Sequence, residues 1–295
     1  MVELAGIELT HPDRVLYPQQ GLTKLDLARY FETMAEPLLE HAAGRLVSLV
    51  RCPRGRETKC FFQRHGGSGL PDEFRRKSVR EKDGGRSDYL YFTKKEALIA
   101  AAQLGVLELH IWGSKIDDIE RPDRLVFDLD PDEGMDFAKV KQGAALMRDV
   151  LAQFDIESFP LLTGGKGIHV VAPLVRRHEW PIVKAFSGEL ARNVAREDPD
   201  NYVATMSKAR RKGRIFIDYL RNERGSTAIA PFSPRARKGA PLAWPVSWEQ
   251  LDEVTAPDQF RLDNADPGAA NNWDGYGDLR QSLKAGGLRA LGIDV

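Results

Sequence analysis

Two aspartates one residue apart close an apolar run in Arg124-Leu-Val-Phe-Asp128-Leu-Asp130-Pro131. Their type and spacing suit a ligand pair for a hard cation. The run reads as a buried strand that a proline ends. Side chains at i and i+2 of a strand share one face, and a rise of about 3.3 Å per residue leaves the carboxylates about 6 to 7 Å apart at their base. Like charges this close repel unless a cation or a proton neutralises them, and oxygen donors favour Mg²⁺ or Mn²⁺ over zinc. Read alone, Asp-x-Asp-Pro is equally a polar turn that stops a strand, so the rest of the chain has to decide.

Two further stretches bear on that choice. Thr163-Gly-Gly-Lys166-Gly-Ile-His169 lies between apolar runs; its glycines allow a tight turn with exposed N–H groups and Lys166 adds a point charge, which together make an anion nest. It departs from the nucleotide-binding P-loop, because the lysine precedes the last glycine and neither Ser nor Thr follows it. A hairpin loop is the plainer reading of this turn. In Ile215-Phe-Ile-Asp218-Tyr-Leu an acid interrupts an apolar strand. Burying it requires a metal or an arginine, and Arg221 and Arg224 are at hand for the second case.

The elements that would position these residues follow from periodicity. Residues 1–10 read as a short strand. Thr23, with Asp26 three residues on, stands as an N-cap before the helical spacing Leu27, Tyr30, Phe31, Met34 and Leu38. Strands are expected at 46–51, 60–62, 89–92, 107–112, 159–162, 168–172 and 214–220, and helices at 94–104, 136–154, 181–197 and 248–253. The polar, basic, glycine-rich stretch 66–85 reads as an exposed loop system. Strand pairs interrupt any regular βα alternation, so an α/β or α+β arrangement is expected in place of a doubly wound sheet.

Composition narrows the class. A hydrophobic fraction of 42% with 29% charged residues describes a globular chain, and no apolar run approaches the roughly 20 residues that span a bilayer. No membrane association is expected, and the N-terminal residues show no secretory pattern, so a cytoplasmic location is expected. Lys plus Arg equal Asp plus Glu at 43 each, so net charge gives no hint of nucleic acid, although basic clusters at 75–80, 208–214 and 235–238 leave room for a positive stripe. Cys52 and Cys60 are the only cysteines and fit a reducing compartment better than a disulfide framework. A zinc site with His65 lacks a fourth ligand.

Taken together, HPDRVLYP, KCFFQRH, LELHIW, RPDRLVFDLDP, TGGKGIHVVAPL and IFIDYLRNERGSTAIAPFSPRAR, from about His11 to about Phe260, resemble the archaeo-eukaryotic primase superfamily, and within it the polymerase domain of bacterial DNA ligase D. The resemblance implies an α+β fold: a primase-like core of mixed and antiparallel sheets flanked by helices, with an RRM-like part. Residues 1–265 would form this catalytic domain as two interlocked lobes, and 266–295 a C-terminal tail or linker. It implies template-directed nucleotide addition at gaps and 3′ overhangs in double-strand break repair by non-homologous end joining. Asp128, Asp130 and Asp218 would hold two Mn²⁺ or Mg²⁺ ions, and His110, Thr163, Lys166, His169, Arg221 and Arg235 would bind the NTP or dNTP.

Further roles follow from the same resemblance. His11, Arg14 and Lys24 would grip the 5′-phosphate of the downstream DNA strand, and Phe61 and Phe62 would stack on the template. For that adjacent pair, strand alternation by itself sends one ring into the core. Ku and a ligase module would be partners, the location would be the bacterial nucleoid, and ribonucleotides would be preferred. The other classes weighed are a catalytically silent DNA-end-binding module of the same fold, and a metal-dependent nuclease or phosphatase. Retention of the three acids, Lys166 and His169 disfavours the first, and the Gly-Lys-Gly-x-His turn disfavours the second.

Overall fold

The computed structural model describes residues 1–270 and 273–294; Asn271, Asn272 and Val295, which fall in the expected tail or linker, lie outside the described residues. The chain forms two compact units. The first takes residues 1–112 and 229–244 and the stretch that begins at Phe260; the second takes 113–228 and 245–259 and the chain from Trp273. Strands and helices are mixed and most strand pairs are antiparallel, an α+β fold as the sequence led one to expect.

In the first unit, Thr23 and Asp26 form the anticipated capping box at the start of the helix Lys24–Thr33, which buries Leu27, Ala28, Tyr30 and Phe31. The apolar spacing that runs on to Leu38 spans two helices, because the chain breaks at Met34 and resumes as Ala35–Ala42. Pro37 explains the break: it has no N–H for the Thr33 carbonyl one turn back. The strand Arg45–Arg51 lies between Val106–Lys115 and Arg86–Tyr91, with Arg75–Arg80 outermost and Phe61–Gln63 paired to its far end. Residues 1–10 make a hairpin of two strands, Val2–Leu4 and Ile7–Leu9.

The loop and cysteine expectations in this unit are also corrected. The stretch 66–85 contains the strand Arg75–Arg80, paired in full register with Arg86–Tyr91. Only Val79 in it is buried, so apolar pattern could not reveal it. The turn that closes the hairpin, with Glu81 N–H on Gly85 O and Gly84 N–H on Glu81 O, sets it instead. The cysteines are also not free thiols: Cys52 and Cys60 form a disulfide. Compartment reasoning had no access to the fold-back that brings them together, in which Gly55 at φ +96° donates to Cys52 O and Thr58 donates to Gly55 O.

In the second unit, strands neighbour one another in the order Tyr202–Val203, Ile215–Asp218, Arg124–Pro131, Ile168–Pro173, Phe159–Leu162. Leu125, Phe127 and Leu129 of the acidic strand Arg124–Pro131 are fully buried, and the helices Phe137–Ala152 and Trp180–Glu197 pack on the sheet. By alternation Asp128 and Asp130 then stand on the other face. In the stretch expected to be a tail, Trp273, Leu283 and Leu288 are buried. Trp273 Nε1 donates to Pro160 O at 2.9 Å, and Gln281 Nε2 donates to Glu157 O and Pro173 O at 2.8 and 2.9 Å. Among the described residues no helix is long and apolar enough to cross a membrane.

Asn222 continues the sheet where the Ile215–Asp218 strand stops. Buried at 1% exposure, it accepts from Val126 N–H at 2.8 Å and donates to Val126 O at 2.7 Å, acting as a one-residue substitute strand. Asn222→Ala should leave both Val126 groups unpaired and lower the unfolding free energy by about 3 kcal/mol, measured by urea denaturation.

Candidate active site

Register places the acids. Asp128 is directly opposite Asp218 on one neighbouring strand and directly opposite His169 on the other, and cross-strand partners share a face about 5 Å apart. Asp130, two residues on, joins them, opposite Phe216. Four of the residues singled out in the sequence are thus brought together by three strands. His169 Nε2 lies 3.5 Å from Asp128 Oδ1, and its Nδ1 is buried with no hydrogen-bond partner.

Cations of the protein neutralise this face. The Arg221 guanidinium reaches Asp128 at 2.9 Å and Asp218 at 3.2 Å, whereas Arg224, the alternative partner read from sequence, pairs with Glu120 at 2.8 Å. Lys166 lies 3.3 Å from Asp130 and Arg211 3.4 Å from it, with the Arg211 guanidinium stacked 3.7 Å from the Phe216 ring centre. Burial would raise the Asp128 carboxyl, but His169 and Arg221 outweigh it and hold the group well below the usual carboxylate range. Asp218 is pushed the other way, by burial and, against the pull of Arg221, by the neighbouring Asp128 charge. The Arg221 guanidinium, although burial opposes its charge, is held protonated more firmly by Asp128 and Asp218.

The donor chemistry suits a divalent cation: three carboxylates on one face, one of them raised chiefly by its burial, and an orphaned imidazole nitrogen on the histidine that faces Asp128. Among the described residues, however, no three acidic, imidazole or thiol groups stand close enough to enclose an ion without rearrangement; Arg221 bridges two of the acids.

The glycine-lysine turn connects Phe159–Leu162 to Ile168–Pro173. Thr163 N–H and Oγ1 both donate to Gly167 O, at 3.2 and 2.9 Å, and Gly164 turns at φ +64°. A Cβ at Gly167 would fall 2.4 Å from Leu129 O, so only glycine lets the turn lie against the acidic strand. Lys166 Nζ donates to Pro131 O at 2.6 Å, which aims the ammonium along the carboxylates. The Thr163 hydroxyl, expected to meet a triphosphate, closes the turn internally in this state.

The remaining candidates lie in the first unit. His110 and Arg235 both meet Glu108, at 2.7 and 3.1 Å. Sequence reasoning missed Glu108 as it missed Arg211 and Asn222; its signal was the i, i+2 spacing to His110 in LELHIW. Burial would raise the Glu108 carboxyl, but His110, Arg235 and the Ala236 N–H bring it down to about 2. His11, Arg14 and Lys24 are linked through backbone hydrogen bonds, Arg14 N–H to His11 O and Lys24 N–H to Arg14 O. Lys24 is buried at 3% exposure and donates to Thr10 O and Gln103 Oε1, while Arg14 donates to Pro53 O. Burial and, after it, Arg14 lower the Lys24 pKa.

Phe61 and Phe62 correct the expectation of one buried ring: they are 43% and 49% exposed. Among the described residues their strand pairs only with the end of Arg45–Arg51, and side chains rather than core cover the rings. Arg51 lies 5.2 Å from the Phe61 ring centre, and His110 packs edge-on against Phe62 at 5.9 Å.

The family model for the LigD primase-polymerase domain matches residues 23–274. The multifunctional non-homologous end joining protein LigD of Pseudomonas aeruginosa is 36% identical over 294 residues, 98% of this chain and 35% of that protein. Its namesake in Mycolicibacterium smegmatis is 34% identical over 287 residues, 95% of this chain and 36% of that protein. The chain therefore spans about a third of the length of these relatives. Among solved structures, the polymerase domain from Mycobacterium tuberculosis ligase D in complex with DNA matches with a TM-score of 0.81 and 31% sequence identity, covering 87% of this chain and 92% of that one.

The opposed shifts on the acidic face give a prediction. Asp218 has its folded pKa raised, so its charge opposes folding at neutral pH, and that penalty fades as pH falls through the raised value toward the unfolded carboxylate value of about 3.9. In chelator, Asp218→Asn should melt above the wild type at pH 7, and the difference should shrink toward pH 4, as followed by calorimetry.

Proposed function

Because the chain belongs to the LigD primase-polymerase domain family, we propose that it is a template-directed nucleotidyl transferase that fills gaps and extends 3′ ends during repair of double-strand breaks by end joining. The observation that carries this reading is the convergence of Asp128, Asp130, Asp218 and His169 on one sheet face, with Lys166 of the glycine turn beside Asp130. A cluster of negative charge facing a phosphodiester would only hinder a silent end-binding module; it is useful to an enzyme that loads cations there.

In this reading Asp128, Asp130 and Asp218 hold two Mn²⁺ or Mg²⁺ ions, which when bound lower the pKa of the primer 3′-hydroxyl and neutralise the triphosphate. Lys166, Arg221 and His169 bind and orient the nucleotide phosphates. His110 and Arg235 are assigned to nucleotide phosphate as well, and Thr163 to shaping the turn that presents Lys166. Arg14 and Lys24, with His11, take the 5′-phosphate of the downstream strand. Lys24 has a third ammonium proton beyond those given to Thr10 and Gln103, and Arg14 adds a forked donor. The exposed Phe61 and Phe62 suit stacking on template bases, worth about 1–3 kcal/mol per base without sequence preference. Ribonucleotide use, and Ku and a ligase module as partners, belong to the same proposal.

An extension assay on a 5′-phosphorylated gapped duplex, with Mn²⁺ or Mg²⁺ and with ribo- or deoxynucleotides, tests the reading. Asp128→Ala with Asp130→Ala should abolish nucleotide addition while duplex binding persists; extension at the wild-type rate would reject the metal assignment. Lys24→Ala should weaken binding to the 5′-phosphorylated gap by roughly 10- to 100-fold, the loss of one charge-assisted contact. An equal loss on 5′-hydroxyl gaps would remove that role. Binding should also fall steeply with salt, since phosphate contacts release counterions.

A further inference from the structure

Glu108 is nearly buried, at 8% exposure, on the strand Val106–Lys115, where its neighbours Leu107 and Leu109 face the core at 0%. Alternation puts Glu108 and His110 on the same side. Its carboxylate draws in three groups from two chain segments: His110 Nε2 at 2.7 Å, Arg235 Nε at 3.1 Å and the Ala236 backbone N–H at 3.0 Å. The Arg235 backbone is held from a second side by the buried Tyr17, whose Oη donates to Arg235 O at 3.0 Å.

This arrangement has consequences for both phosphate-seeking residues. A carboxylate only accepts, so His110 must carry its proton on Nε2, which fixes the tautomer and the plane of the ring. The Arg235 guanidinium is held beside Glu108 by charge, with Nε 3.1 Å from the carboxylate, while the Ala236 N–H and Tyr17 fix the backbone from which it projects. As a mere stabiliser such a pair is a poor device, since desolvating the charges offsets most of their attraction. As a means of holding two cation-forming groups in place, one acid that faces all three groups is economical.

We propose that Glu108 is a positioning residue that fixes the tautomer of His110 and the orientation of Arg235 so that both can meet a phosphate group of the incoming nucleotide. This rests on the polymerase reading given above. In Glu108→Gln the remaining oxygen can serve the Ala236 N–H and Arg235 only by turning the NH₂ donor toward His110 Nε2, which must then become the acceptor, so the tautomer set by Glu108 is lost together with the charge that holds Arg235. Glu108→Asp keeps the charge on a shorter arm.

Steady-state extension with varied nucleotide tests this directly. Glu108→Gln should raise the KM for nucleotide by roughly 10- to 100-fold, with kcat, gapped-DNA affinity and melting temperature near wild type, and Glu108→Asp should recover part of the loss. A KM unchanged in Glu108→Gln overturns the proposal, as does a parallel fall in kcat, DNA affinity and melting temperature that Glu108→Asp does not relieve. Should Glu108→Gln fail to fold, the wild type decides through histidine ¹⁵N spectra, with His110 assigned by its absence in His110→Gln. A proton on Nε2 supports the proposal, and a bare Nε2 overturns it. A wild-type protein that extends no primer would count against the polymerase reading, whereas an active wild type with an indifferent Glu108→Gln counts against Glu108 alone.

Discussion

Neutralisation of the acidic face is the constraint on which the second unit depends. Two unit charges about 5 Å apart, in surroundings of effective dielectric about 20, repel by about 3 kcal/mol, a sizeable share of the roughly 5–15 kcal/mol that holds a domain folded. The fold accepts this by setting Asp128 and Asp218 opposite each other and drawing Arg221 across both. The result is uneven: Asp128 is stabilised as an anion and Asp218 is not. An evenly satisfied cluster would have little reason to exchange its arginine for another cation. In the proposed reading, the burial of Asp218, which Arg221 only partly offsets, gives the face its reason to take up a metal cation.

The backbone around the acids is built to hold that tension. Gly167 brings the lysine turn against Leu129 O, closer than any side chain would allow, and Asn222 closes the open edge of the acidic strand with a pair of backbone hydrogen bonds. Neither residue touches a substrate in the proposed reaction. Both fix the strand whose alternation decides that Asp128 and Asp130 point outward while Leu129 points into the core.

Most of the acidic site was legible in the sequence because it is written in strands. Period-two alternation places Asp128 and Asp130 on one face without reference to anything distant, and the Thr163–His169 motif announces a turn by its glycines. What could not be read was whatever depends on pairing across the chain. The strand Arg75–Arg80 has one apolar residue and is defined by its partner. The Cys52–Cys60 bond follows from a loop that folds back on itself. The helix pattern through Leu38 hid a break that Pro37 imposes. Arg221 and Arg224 were equivalent candidates for Asp218 until the short helical turn Leu220–Asn222 aimed the first at the acids, while Arg224 went to Glu120.

Exposure of Phe61 and Phe62 shows where local pattern and burial part ways. Two adjacent aromatic rings on a strand ought to divide between core and solvent, yet both lie in the open beside Arg51 and His110. Leaving roughly half of each large apolar ring in water forgoes part of the burial worth about 1.5–3 kcal/mol for a fully buried side chain, on a short strand paired to the end of Arg45–Arg51. In the proposed reading a ligand supplies that burial. An unpaired nucleic-acid base, with an apolar face for a ring and a phosphate for the neighbouring arginine, offers both at once, whereas an apolar protein surface would leave Arg51 without a partner of opposite charge.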